Sequence, residues 1–223
     1  MVKKKATNNM IGLDVDLSKS EAFIEKHLKT ILIVIAAIIV VVAGIYIYKI
    51  HKNSQTKEAN EAIAKCQTAF AQGQYEQALN GDASNGLLKI IDEYSGTKTA
   101  NLAKLYAGLC YAKLNRADEA INMLEDFSAQ DDQIISPSAL GALGDCYVIK
   151  GQNEKGAETM LKAAKAADND AVSPVFLLKA GKIYEELGKA DKALELYKEI
   201  KTKYFRSPLA SDIDKYIERV SAE

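Results

Sequence analysis

Residues 101–127 read NLAKLYAGLCYAKLNRADEAINMLEDF, and the pattern of this stretch returns twice further along the chain. Residues 137–163, PSALGALGDCYVIKGQNEKGAETMLKA, and residues 174–200, PVFLLKAGKIYEELGKADKALELYKEI, align with it in successive steps of 36 and 37. Gly108, Gly144 and Gly181 fall in one column, and Tyr111, Tyr147 and Tyr184 fall in another three residues later. A fixed period of this length marks stacked helical or mixed supersecondary units.

Each unit divides into two helical patterns. The first helix of the first unit is apolar nearly all round, through Leu102, Ala103, Leu105, Tyr106, Ala107, Leu109, Cys110 and Tyr111. Such a helix must be covered on most sides, and a solenoid of stacked pairs supplies the cover. In the second helix, Ala117, Ala120, Ile121, Leu124 and Phe127 lie at helical core spacing, and Ala190, Ala193, Leu194, Tyr197 and Ile200 repeat them. The middle copy, Asn153, Gly156, Ala157, Met160 and Ala163, is expected to pack worst, because Gly156 and Ala163 remove volume. The glycine column implies a helix crossing too close for a larger side chain, with the tyrosine filling the space beneath.

Ser136-Pro137, Ser173-Pro174 and Ser207-Pro208 each join an N-cap residue to a residue suited to the first helical position, predicting three helix starts. The last helix places Leu209, Ile213, Tyr216, Ile217 and Val220 on one face and Asp212, Lys215, Glu218 and Arg219 on the other, as a capping helix requires. Upstream, residues 62–71 and 73–79 form a degenerate further unit. Its second helix is interrupted at residues 80–86 and resumes with Leu87, Leu88, Ile90, Ile91 and Tyr94. The interruption lacks the central glycine and distal glutamate of a calcium loop.

Ile31 to Tyr48 carry no charge, and eighteen helical residues nearly span a hydrocarbon core. Lys29 and Lys49 close the stretch, and Tyr46 and Tyr48 stand where an aromatic belt would lie. Cleavage after Val41-Val42-Ala43 is disfavoured by the long preceding tail and by the apolar residues that continue past Ala43. Lys3, Lys4, Lys5, Lys19, Lys26 and Lys29 precede the span, against Lys49, Lys52, Lys57 and Lys65 after it, a bias toward an N-terminus inside and repeats outside. Ser18-Lys19-Ser20-Glu21 has capping-box form and opens a short amphipathic stretch with Ala22, Phe23, Ile24 and Leu28.

Residues 1–52 hold eight lysines and four acids, so a net charge of −1 for all 223 residues leaves −5 beyond them. That balance argues against nucleic acid as the ligand. His27 and His51 flank the apolar span, which leaves the repeats without a histidine for acid–base or metal chemistry. Cys66, Cys110 and Cys146 match neither a zinc knuckle nor a redox pair and read as buried thiols. No phosphate loop or hydrolase elbow occurs, and Glu185-Glu186 and Asp131-Asp132 read as solvated acids. The expectation is a protein that is no enzyme, with no cofactor, metal or small-molecule substrate.

Leu143-Gly144-Asp145-Cys146-Tyr147 resembles the first half of the tetratricopeptide repeat, and Gly188-Lys189-Ala190-Asp191-Lys192-Ala193-Leu194-Glu195 the second half. The resemblance implies an all-α fold: an N-terminal transmembrane helix, then a right-handed α-solenoid of tetratricopeptide type closed by a C-terminal capping helix. The implied order is a cytoplasmic tail (1–29), a membrane helix (30–50), a stalk with a degenerate repeat (51–100), three repeats (101–206) and the cap (207–223). Such solenoids bind partners on the concave face of their first helices. The corresponding positions here are Leu105, Leu109, Ala112 and Lys113; Gly141, Asp145, Val148 and Ile149; and Leu178, Lys182, Glu185 and Glu186. Leu109 and Asp145 are unsuited to the Lys and Asn clamp by which some members hold a C-terminal carboxylate. A mostly apolar groove with an acidic end suits an extended or helical hydrophobic segment.

The whole layout resembles the YfgM-like ancillary subunits of the bacterial SecYEG translocon. The stretches 78–94 and 97–103 are similar to the version found in Bacteroidetes. The resemblance implies a single-pass inner-membrane protein with periplasmic repeats, whose partners are the translocon, periplasmic chaperones or emerging secreted chains. A structural scaffold in cell-envelope assembly or cell division is the alternative, and a tether for a cytoplasmic partner through residues 1–29 is a third.

Overall fold

The computed structural model describes residues 6–81 and 85–222, with side chains from residue 26 onward except at 48, 51–53 and 55. Lys3, Lys4, Lys5, Asp82, Ala83 and Ser84 lie outside the described residues, as do the side chains of Lys19, Ala22, Phe23, Ile24, Tyr48 and His51. Every regular element among the described residues is helical: α1 (Ala6–Ala71), α2 (Tyr75–Asn80), α3 (Leu87–Glu93), α4 (Lys98–Lys113), α5 (Ala117–Glu125), α6 (Ile135–Ile149), α7 (Asn153–Ala167), α8 (Ser173–Glu186), α9 (Ala190–Lys203), a 3-10 turn (Pro208–Ser211) and α10 (Asp214–Ser221).

The chain forms two compact units, Met1–Ser54 and Gln55–Glu223. The first contains Lys26–Ile47, a 22-residue stretch long and apolar enough to cross a membrane, none of it buried. It contains the uncharged run that begins at Ile31.

The second unit is the solenoid. From α1 it takes Ala59, Ile63, Cys66 and Ala69, buried at intervals of three and four residues on one helical face. The short helices α2 and α3 follow, and the chain between them is pinched so tightly that a Cβ on Gly81 would lie 2.5 Å from the Gly86 nitrogen. Three helix pairs then stack in order, α4 with α5, α6 with α7 and α8 with α9, and α10 closes the array against α9.

The glycine column does what its spacing implies. A Cβ on Gly108 would stand 2.6 Å from Leu124 Cγ, one on Gly144 would stand 2.9 Å from Met160 Cγ, and one on Gly181 would strike the Tyr197 ring. The obstacles are themselves a column of the repeat, so the small residue of each first helix meets the large residue of its second. Tyr111, Tyr147 and Tyr184 are all buried beside this crossing. Each carries a cation over its ring: Arg116 at 4.6 Å, Lys155 at 3.8 Å and Lys192 at 5.1 Å from the centroid.

Three expectations change. Gly156 is no packing defect: a Cβ there would lie 2.6 Å from Val148 Cγ2 and 2.9 Å from the Gly144 carbonyl oxygen, so its small size permits a close crossing of α6 and α7. Ser136 and Ser173 lie within the first turns of α6 and α8 rather than capping them. A polar side chain four residues earlier organises each start, as a cap on α6 and as a turn before α8. The Asp132 carboxylate accepts from the backbone N–H of Ile134, Ile135 and Ser136, and Asn169 Oδ1 accepts from those of Ala171 and Val172. Ser207 alone acts as a cap, and it opens a 3-10 turn rather than α10, which begins later at Asp214. Finally, α5 ends at Glu125, which leaves Phe127 in the following loop, still packed on the core.

Candidate partner-binding face

The first helices α4, α6 and α8 carry the twelve residues expected to line a groove, and their burial sorts them. Leu105 is buried within the first core cluster. Gly141 is buried under the Phe176 ring, which fills the space a Cβ would need. Both residues therefore support the wall from behind and offer no side chain to a partner, because the neighbouring helix has already closed over them. Leu109, Ala112, Asp145, Val148, Leu178 and Glu185 are half-buried, while Lys113, Ile149, Lys182 and Glu186 are exposed. Ile149 is 61% exposed and offers the most apolar side-chain surface of the twelve.

The acidic end is less acidic than the sequence implies. The Lys179 ammonium lies 2.7 Å and 3.0 Å from the two Asp145 carboxylate oxygens, pairing α8 with α6. Glu185 accepts from Arg219 Nη2 at 2.5 Å and from Nε at 3.3 Å, so α10 neutralises it. Lys182 Nζ stands 5.3 Å from the centroid of Tyr216, also on α10. Glu186 remains exposed at this end. Leu109 and Ala112 border one core cluster, Val148 and Leu178 the other, and the Asp145–Lys179 pair bridges α6 and α8.

Sequence reasoning missed Lys179, whose role needs the neighbouring helix, and Val175, one turn before Leu178 and 40% exposed. The spacing of three residues from Leu178 to Val175 was the available signal for the latter. Ile134 and Ile135, exposed at the start of α6, extend the apolar surface of that helix. A cavity of about 510 Å³ opens elsewhere, over the second helices, with Leu161, Leu177 and Leu196 beneath and Asp168 and Lys203 paired at 2.9 Å beside it. It contains none of the twelve groove residues.

The thiols are buried and free. Cys66 donates to the Asn85 carbonyl at 3.0 Å. Burial pushes the Cys110 thiol up to about 12, aided by Cys66 and Glu76, and burial also raises Cys66 and Cys146. Among the described residues, no group of three or more His, Cys, Asp or Glu side chains could hold a metal ion.

Comparison with known proteins agrees with this architecture. The family model described as Tetratricopeptide repeat-like domain matches residues 21–140, and two models described as Tetratricopeptide repeat match residues 137–170 and 176–204. The latter two ranges fall on α6–α7 and α8–α9. No curated protein matches the chain. Two solved structures of a putative kinesin light chain from Podosopora anserina, with nearly identical TPR-like repeats, are similar at 12% identity and TM-score 0.58. Each covers 73% of this chain, with 84% of one and 85% of the other aligned. At that identity the likeness concerns the fold alone.

Proposed function

Because the chain belongs to the tetratricopeptide repeat-like domain family, we propose that it is a membrane-anchored adaptor that holds a polypeptide on its first-helix face. The observation that carries this reading is an apolar surface left open on successive first helices. Ile149 is largely exposed, and Leu109, Val148 and Leu178 are half-buried beside solvent. A solenoid presents such a face as an extended platform, and a hydrophobic segment is the ligand that gains from it. Anchoring is supported by Lys26–Ile47, whose exposed side chains would be costly in water and favourable in lipid. The match from residue 21 to residue 140 takes in both that stretch and the first helix pair, which supports reading them as parts of one layout.

The finer proposal is an ancillary subunit of the Sec translocon in a bacterial inner membrane, with the repeats in the periplasm, receiving emerging chains or passing them to chaperones. It draws on the layout and on the lysine bias across the span. Copurification from membranes in mild detergent tests it. Translocon subunits should be recovered with the full chain and lost when Ile149 and Leu178 are both changed to Asp. Protection of the repeats from protease added to spheroplasts would overturn the periplasmic placement.

A further inference from the structure

The C-terminal helix α10 occupies the last place on the same face. Arg219 on α10 reaches Glu185 on α8 across 34 residues, the separation at which Lys179 on α8 reaches Asp145 on α6. By this contact α10 stands to α8 as α8 stands to α6, so it fills the position of a further first helix. Its hold is slight for such a position. Eight residues are too few for a helix that is stable by itself in water, so α10 is helical only while docked. Ile213, just before it, and Val220 are its buried apolar anchors, and Tyr216 leans on Tyr197 at 5.4 Å between ring centroids. Its ion pairs with Glu185 and with Lys201 are solvent-accessible on the Arg219, Asp214 and Lys201 sides.

Tyr197 has no exposed surface, and its hydroxyl lies beside the Glu185–Arg219 pair, so the same two groups that hold α10 also act on the seat. A 3-10 turn, Pro208–Ser211, lies between α9 and α10, so the helix can leave its seat while still tethered.

We propose that α10 is a built-in pseudo-ligand in a helix-docking slot formed by α8 and α9. An external amphipathic helix with an isoleucine, a tyrosine three residues later and an arginine after three more binds there by displacing it. Ile213, Tyr216 and Arg219 give the spacing. This rests on the proposed function only in placing the slot on the partner-binding face. Its test requires no natural partner, so the two readings can fail separately.

The probe is a fluorescein-labelled peptide of residues 207–223, titrated by anisotropy against the full chain in detergent. The wild-type chain should bind weakly, because its own α10 competes. Arg219→Glu in the chain should release α10 and raise affinity for the unmodified peptide at least tenfold. Glu185→Arg should refuse the unmodified peptide and accept one carrying Arg219→Glu. Equal binding by wild type and Arg219→Glu, or no rescue by the reversed pair, overturns the proposal. Should a variant lose its helical circular dichroism, amide exchange on the unmodified chain decides. Exchange in α10 at least tenfold faster than in buried α9 supports displacement, and equal protection overturns it.

Discussion

Glycine at positions 108, 144, 156 and 181 serves contact rather than flexibility, since each is helical and each faces an atom that a methyl group would strike. Alanine would gain about 1 kcal/mol of helix propensity at such a site, against about 1–3 kcal/mol for overpacking. The balance depends on what can move. Both positions face a backbone carbonyl, at 3.0 Å for Gly144 and 2.9 Å for Gly156, but the side chain met at Gly144 is a flexible methionine at 2.9 Å, whereas at Gly156 it is the stiff β-branched Val148 at 2.6 Å. Gly156→Ala should therefore destabilise more than Gly144→Ala, lowering the melting temperature by several degrees in a thermal scan. The buried thiols give a second check. With Cys110 pushed up to about 12 by burial, none of the three should react with iodoacetamide at pH 8 until denaturant is added. The sign follows from the raised value: this contribution to stability is complete below the unfolded thiol pKa of about 8.5 and is lost as pH climbs toward 12.

The helix pairs were legible in the sequence because period, glycine and tyrosine are local signals that recur. Their starts were not, because Ser-Pro satisfies two readings. The hydroxyls of Ser136 and Ser173 instead tie each first turn to the chain before it. Ser173 Oγ accepts from Asn169 N–H at 3.1 Å and donates to the Ala164 carbonyl at 2.8 Å, with no surface exposed. Ser173→Ala leaves the part-buried Asn169 N–H unpaired, while the Ala164 carbonyl keeps the Asp168 N–H at 3.1 Å, and should cost about 1–3 kcal/mol, read as a lower urea midpoint with unchanged slope. Asp132→Ala should cost about 1 kcal/mol, as loss of a cap does. Burial alone would raise the Asp132 carboxyl, but hydrogen bonds from the Ser136 hydroxyl and from the N–H groups of Ile134, Ser136 and Ile135 hold it below its ordinary range. Its contribution is thus present above the unfolded pKa of about 3.9 and fades as pH falls through the lowered value. The wild-type chain should accordingly lose its advantage over Asp132→Ala in acid.

Across the solenoid, an acid at the second residue of a second helix meets a base at the next inter-helix turn: Glu76 with Arg116 at 3.9 Å, Asp118 with Lys150 at 2.9 Å, and Glu154 with Lys189 at 2.5 Å. These pairs are exposed, and each is worth about 0–1 kcal/mol before salt screens it. Stacking therefore rests on the apolar columns, and 1 M sodium chloride should shift the melting temperature far less than Gly156→Ala does. The proposed binding face was legible only in part. Family positions located its helices, but burial of Gly141 by Phe176 and capture of Glu185 by Arg219 depend on neighbours remote in sequence. What stays open is the apolar surface around Ile149, and polypeptide binding there is the central claim. Its most direct test is a photo-crosslinking amino acid placed at Ile149 and, as a control on the second helices, at exposed Lys162. After irradiation of intact native membranes, polypeptide adducts are expected at Ile149 and absent at Lys162. Adducts of equal yield at both positions, or none at Ile149, would contradict an adaptor that binds on its first-helix face.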